Sequence, residues 1–179
     1  YCLFPPSTIF KFTSFVLWDL SMPLISNSFD PNVVEWRHAI DLTDPSFLID
    51  YEYCLLGYDL PTGRLDMMLR FTANERHCQR HRHIASTVTI VLEGEHHIDE
   101  IQPDGSIKSI IRRKGEYAFS EPDGLPHEER GGTDGGTVLL AVSAKDGKLF
   151  EYFDSNMKSV RTLTIEEYVE AWRIKSVPG

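Results

Sequence analysis

The stretch that decides the fold is HRHIASTVTIVLEG, residues 81–94. Its second half, Ser86 to Leu92, is a β-branched and aliphatic run that ends at a Glu-Gly pair, which is typical of a strand followed by a turn. Its first half sets His81 and His83 two residues apart, so an extended backbone would place both imidazoles on one face, about 6.6 Å apart along the strand. Two such imidazoles suit one transition-metal ion or zinc, whereas calcium and magnesium prefer oxygen. The pair by itself also fits a solvated surface strand.

A second stretch, GEYAFSEPDGLPH, residues 115–127, supplies a third histidine. Tyr117 to Ser120 reads as a short strand. Residues 121–136 are rich in glycine, proline and acidic side chains, a composition that predicts an irregular loop. His127 would lie in that loop. Two histidine-bearing stretches in this order are a far more specific pattern than one HxH pair.

The flanking sequence predicts an all-β domain with one short C-terminal helix. Residues 46–59 and 64–72 surround a Pro-Thr-Gly turn and predict a hairpin, and residues 96–101 and 106–112 predict another around Pro-Asp-Gly. Residues 137–143 predict a further strand. Thr164 and Glu167 form a capping-box pattern at the start of a helical stretch. Short strands between turns indicate a sandwich or a barrel.

The two stretches resemble the two sequence motifs of the cupin superfamily. The resemblance implies a small jelly-roll barrel, a double-stranded β-helix, with one metal ion on His81, His83 and His127. There are two departures from the family pattern. Thr87 or Val88 holds the position where many cupins place a metal-binding glutamate, and Glu75 stands where the first motif usually begins with glycine. The resemblance therefore implies three neutral histidine ligands without a carboxylate.

Within the cupins, the pattern is similar to the three-histidine dioxygenases, including the acetylacetone-cleaving enzyme and 2,4'-dihydroxyacetophenone dioxygenase. This resemblance implies non-haem Fe(II), with Zn(II) as the alternative metal, and a reaction of dioxygen with a small β-diketone or hydroxyaryl ketone that cleaves a carbon-carbon bond. It also implies a homo-oligomer. Two other functions stay open: a zinc-binding sensor without turnover, and a metal-dependent isomerase or lyase.

Several other side chains are candidates for the site. Glu121 could orient a histidine or a metal-bound water, or be a solvated loop acid. Arg70, on a predicted strand, could steady an anionic substrate, and Thr87 and Tyr117 are further candidates for substrate contact. Their direction depends on a strand register that the sequence leaves open. Each of them also fits ordinary barrel packing or exposure.

Other residues near the histidines have two interpretations each. His77 would share the face of His81 and His83, as a residue at the rim or as an exposed histidine. Strand alternation would point Cys78 away from His81, which disfavours the cysteine as a ligand. His96 and His97 are adjacent, so at most one of them can face the barrel interior.

Composition bounds the function and the location. The 179 residues, 41% hydrophobic and 25% charged, fit one globular domain. A net charge of -9 disfavours a nucleic-acid partner. Three cysteines without a CxxC pair suggest neither a disulfide framework nor a zinc ribbon, and favour a cytoplasmic protein.

The apolar run in residues 1–21 is too short to span a membrane. We expect residues 1–21 to be an extension ahead of a native start at Met22, and residues 22–179 to be a single cupin domain with no membrane partner.

Overall fold

Antiparallel β-strands form most of the structure, a computed structural model that describes residues 24–73 and 76–174. The strands and the helix are β1 (Arg37–Asp41), β2 (Ile49–Asp59), β3 (Arg64–Phe71), β4 (His81–His83), β5 (Ser86–Ile101), β6 (Ile107–Arg113), β7 (Tyr117–Ser120), β8 (His127–Ser143), β9 (Lys148–Phe153), β10 (Ser159–Thr164) and α1 (Ile165–Arg173). The all-β fold with a short C-terminal helix is confirmed. The predicted start at Met22 and the Glu75 departure lie outside the described residues.

Strand β8 is the centre of the sheet. Along one edge it pairs with β5, and along the other it pairs first with β4 and then with β3. Strands β2 and β1 continue the sheet beyond β3, and β9 and β10 continue it beyond β4. Strands β6 and β7 pair with the two halves of β5. This curled arrangement carries β4 and the start of β8 to the same place, which positions the candidate site.

The prediction of a loop over residues 121–136 is wrong for its second half. Strand β8 begins at His127 and continues through the glycine-rich run, because β5, distant in sequence, supplies its hydrogen-bonding partners. The two strands bend together where the register shifts between Gly94 and His96. At this bend a Cβ on Gly136 would lie 2.0 Å from the Glu95 carbonyl oxygen. The glycine therefore permits a close backbone approach rather than marking a loop.

Alternating side chains of the strands form two apolar layers. The barrel interior is filled by fully buried residues that include Tyr53, Leu65, Leu140, Leu149 and Leu163. A second cluster on the opposite face of the sheet contains Val34, Cys54, Leu56 and Met68. Met68 is therefore a packing residue outside the barrel interior.

Helix α1 begins at the predicted capping box. The Thr164 side chain accepts from the Glu167 backbone N–H, and the Glu167 carboxylate accepts from the Thr164 backbone N–H. Tyr168 and Trp172 face the sheet and meet the Tyr53 ring edge to face, with centroids 5.7 and 5.9 Å away. Within the described ranges, no helix has the length and apolar character needed to cross a membrane.

Candidate metal centre

The histidines of the two sequence motifs meet inside the barrel. The extended backbone of β4 points His81 and His83 to one face, and β8 pairs its first residue, His127, directly with His81. The ring centroids of His127 lie 4.5 Å from those of His81 and 5.1 Å from those of His83. All three side chains are buried. Residues 44 positions apart in sequence thus form one imidazole cluster.

Hydrogen bonds fix the orientation of each imidazole. The Nδ1 atoms of His81 and His127 lie 2.8 and 2.9 Å from the carbonyl oxygens of Gln79 and Leu125. A carbonyl only accepts, so these Nδ1 atoms carry the proton. The Nδ1 of His83 lies 2.9 Å from the Thr87 hydroxyl. That hydroxyl faces the Ala85 carbonyl at 3.4 Å, so it donates there and accepts from His83. The Nε2 atom of each of the three rings therefore keeps its lone pair, which is available to bind one shared ion.

A carboxylate completes the cluster, which corrects the expectation of an all-histidine set. Glu129 lies two residues after His127 on β8, so both side chains point to the same face. One ligand atom from each of His81, His83, His127 and Glu129 lies within 4.8 Å of the others. The cluster thus contains a glutamate that follows the second stretch, although the first stretch lacks one. The two-residue spacing of His127 and Glu129 is the sequence signal for this carboxylate. The prediction of a loop there gave no reason to place both side chains on one face.

His96 lies beside Glu129 in the barrel interior. Its Nε2 lies 3.4 Å from Glu129 Oε1, and His127 Nε2 lies at the same distance from the same oxygen. The ring is 1% exposed and stacks on Phe71 at 5.9 Å. The adjacent His97 instead contacts Glu95 and Arg130 on the other face of the strand. Only His96 of this pair faces the interior.

Cys78 lies closer to the site than strand alternation predicted. Its Sγ is 3.7 Å from His81 Nδ1 and 3.6 Å from Glu129 Oε2. Alternation does not apply because β4 begins only at His81, and the residues before it are not extended as a strand. Burial raises the pKa of the Cys78 thiol well above its ordinary value, with the Glu129 charge acting in the same direction. The protonated thiol packs beside the cluster.

The ionisation states of His81, His83 and Glu129 suit a cation. Burial lowers the pKa of His81 to about 4 and holds that of His83 well below its ordinary value, so both rings are neutral at pH 7. Burial opposes the charge of Glu129, yet the adjacent His96 and His127 outweigh burial and hold its pKa well below the usual range. Burial also favours neutral His127, but Glu129 outweighs it and raises the pKa of that ring.

The donor set fits a divalent metal. The Nε2 atoms of His83 and His127 are buried and have no hydrogen-bond partner in the described part of the chain. Such groups are costly unless a ligand satisfies them. Three imidazole nitrogens and one carboxylate oxygen are suitable donors for Fe(II), zinc and related ions. The four residues can therefore hold one metal ion.

The cluster lies between an interior cavity and a cleft. On one side, His81 and Glu129 border a small interior cavity of about 30 Å³, closed by tyrosine rings from β2, β9 and α1. On the other side, His83, His127 and Glu129 line a cleft of about 400 Å³. The remaining wall of the cleft comes from β5, β6, β7 and the segment between β7 and β8, and it includes Ile98, Arg112, Phe119, Glu121 and Leu125. A small organic molecule can reach the cluster from this side.

Two of the other candidates have clear places at the site. Glu121 lines the cleft and makes no hydrogen bond or ion pair with the described residues. Thr87 is fully buried behind His83, where its hydroxyl holds the imidazole. It orients a candidate ligand and does not face the cleft.

Three predicted residues lie elsewhere. Arg70 is in an ion pair with Glu52 at 2.5 Å and stacks over Trp36, on the outer face of the sheet. Tyr117 is 64% exposed and is not part of the cleft wall. His77 stacks on Phe47 at 4.8 Å, away from the cluster. The substrate contacts expected of Arg70 and Tyr117 therefore have no support in their positions.

Comparison with solved structures agrees with this architecture. A cupin 2 conserved barrel domain protein from Rhodopseudomonas palustris superposes with a TM-score of 0.52 at 16% identity, covering 70% of this chain and 81% of that one. The chain therefore has the fold of a cupin barrel. An acetylacetone dioxygenase from Acinetobacter johnsonii gives a TM-score of 0.57 at 13% identity, covering 98% of this chain and 99% of that one. No protein-family model and no curated protein sequence matches this chain.

Proposed function

We propose that this cupin is a metal-dependent dioxygenase, with Fe(II) on His81, His83, His127 and Glu129, that cleaves a carbon-carbon bond in a small β-diketone or hydroxyaryl ketone. The observation that carries the proposal is the buried cluster, in which three oriented imidazoles and a carboxylate share one space at the floor of a cleft. The structural likeness to an acetylacetone dioxygenase supports the choice of reaction. Zn(II) is the alternative metal.

The cleft provides the surroundings that such a reaction requires. A bound divalent metal would supply Lewis acidity and, as iron, reactivity toward dioxygen. Ile98, Phe119 and Leu125 give the wall apolar surface for the carbon skeleton. Glu121 has a free carboxylate in the same wall and would accept the proton from the carbon between two carbonyl groups.

The first experiment is anaerobic reconstitution with Fe(II), beside Zn(II), followed by oxygen uptake on a panel of β-diketones and hydroxyacetophenones. We expect uptake with iron only. His127→Ala should lose bound iron and uptake together. His97→Ala is the matched control, because His97 lies on the opposite face of β5 and should keep both.

A second candidate function is a metal-dependent isomerase or lyase, in which the metal only polarises a carbonyl and Glu121 moves protons. The free carboxylate of Glu121 in the cleft favours it. Tight zinc binding with no oxygen consumption on any substrate would overturn the dioxygenase proposal and favour this one, or a sensor without turnover. The homo-oligomer implied by the family stays a prediction, which light scattering can check.

A further inference from the structure

Arg112 places a positive charge beside the candidate metal centre. It lies on β6 directly opposite His96 of β5, and the two residues share a face of the sheet. Its side chain is partly buried and lines the same cleft as His83, His127 and Glu129. A molecule that fills this cleft can therefore contact both the cluster and the guanidinium.

The guanidinium of Arg112 has no partner in the described part of the chain. Every other arginine there contacts a carboxylate or, for Arg173, a tyrosine hydroxyl. The neighbouring Arg113, for example, lies 3.3 Å from Glu95 on the opposite face. A partly buried charge without a partner is unusual, since desolvation is normally offset by pairing. Arg112 is thus the one arginine of the described residues without a partner, and its place in the cleft wall points to a bound anion.

The acidic residues of the cleft do not neutralise Arg112. Glu100 lies 3.5 Å from Lys108, and Asp123 lies 3.2 Å from Arg82. Glu129 lies between two imidazoles. Glu121 is the one cleft carboxylate without a partner among the described residues, and it makes no ion pair with Arg112. The charge of Arg112 therefore stays available to a bound anion.

We propose that Arg112 binds a carboxylate of the substrate, which narrows the substrate class to β-dicarbonyl or aryl ketone compounds that also carry a carboxylate. The planar guanidinium donates two parallel N–H bonds that match a carboxylate. Ile98 and Phe119, in the same wall, contact the apolar part of the molecule. This inference rests on the proposed function for its carbonyl group, whereas the carboxylate site can be tested without turnover.

The test uses two probes that differ by one group. Acetylpyruvate has a carboxylate where acetylacetone has a methyl group, and both are β-diketones. Calorimetric titration of the zinc-loaded protein, which cannot turn over with dioxygen, measures both affinities. In Arg112→Met we expect acetylpyruvate to bind at least about tenfold more weakly, the range of a charge-assisted hydrogen bond, and acetylacetone to change less than about twofold. Arg113→Met is the matched control and should change neither. Arg112→Lys should restore part of the loss.

Each other outcome has a definite meaning. Equal weakening of both probes in Arg112→Met, or wild-type protein that binds acetylpyruvate no more tightly than acetylacetone, would overturn the carboxylate site. An Arg112-dependent preference for acetylpyruvate without oxygen uptake by the iron-loaded protein would keep the site and overturn the dioxygenase. Oxygen uptake on acetylpyruvate that has the same substrate dependence in wild type and Arg112→Met would keep the dioxygenase and overturn the carboxylate site. Unfolding curves of each variant show whether the fold is retained.

Discussion

At the scale of single residues, Glu129 brings a carboxylate to the histidine cluster from just after the second stretch. The family pattern predicts this group four or five residues after the second histidine, where Thr87 or Val88 stands. Glu129 instead follows the third histidine by two residues, and the alternation of β8 brings both to the interior. The carboxylate also lowers the net charge of a divalent site, so a bound anion gains more from a separate cation such as Arg112.

Glu129→Gln tests the carboxylate. The substitution keeps the shape and removes the charge, so we expect metal affinity to fall by about 10- to 100-fold while the fold is retained. Titration with Co(II), followed by its visible absorption and by chelator competition, measures the loss and reports the change in ligand set. Glu128→Gln is the control, because Glu128 pairs with Arg80 outside the cluster. Unchanged affinity and spectrum in Glu129→Gln would show that the carboxylate is not a ligand.

Thr87→Val tests the orientation of His83. Valine fills nearly the same volume but cannot accept the Nδ1–H bond, so the imidazole loses the group that fixes its tautomer. We expect metal affinity to fall by about tenfold. Thr137→Val is a matched control, since Thr137 is an equally buried threonine on β8 that makes no side-chain hydrogen bond. If both variants bind metal alike, the Thr87 hydroxyl has no role in holding His83.

At the scale of elements, the long strands β5 and β8 build the centre by bending together. Their register shifts on both sides of Gly94, and the glycine-rich part of β8 passes close to Glu95. The first residue of β8, His127, then pairs with His81 of β4. The distances between the candidate metal-binding side chains therefore depend on this bend as well as on the spacing of the histidines in the sequence.

Gly136→Ala tests the bend. The new Cβ would lie 2.0 Å from the Glu95 carbonyl oxygen, so the strands must separate, and we expect a loss of about 1–3 kcal/mol in the free energy of unfolding. Gly124→Ala is the control, because its Cβ would find only the His83 carbonyl oxygen at 3.9 Å, and it should change stability by less than about 0.5 kcal/mol. Urea unfolding measures both. Equal stabilities would contradict the close approach.

At the scale of the whole molecule, the core buries several weakly acidic groups. Burial raises the pKa of the Cys54 thiol to about 12 and raises the pKa values of Tyr51 and Tyr168 well above their ordinary values. These groups are neutral at pH 7, so they pack without a charge penalty. Their ionisation at high pH is therefore easier in the unfolded chain than in the folded protein.

This arrangement predicts alkaline unfolding. A group whose pKa is raised in the folded state stabilises the fold fully below its unfolded pKa, 9.0 for Cys54, and the contribution is lost as pH rises toward about 12. We expect the urea midpoint to fall steadily above pH 9. Cys54→Ala should show a shallower decline than wild type, although its stability at pH 7 is lower. A midpoint that stays constant to pH 11 would contradict the prediction.

The sequence by itself determined the fold class, the hairpin of β2 and β3, the capping box of α1 and the three histidines that meet. These features depend on local physical rules: two-residue alternation, turn residues and side-chain capping at a helix start. Thr164 and Glu167 cap the helix as three-residue spacing requires. His81 and His83 share a face for the same local reason.

The tertiary structure alone decided which of the other side chains belong to the site. Residues 127–136 become a strand because β5 supplies hydrogen bonds from far along the chain, and only then do His127 and Glu129 share a face. Register places Arg70 on the outer face beside Glu52 and Arg112 on the cleft wall opposite His96. A one-residue shift in register exchanges the two faces of a strand. Sequence spacing does not fix that register, because it is set by contacts between strands that are remote in the sequence.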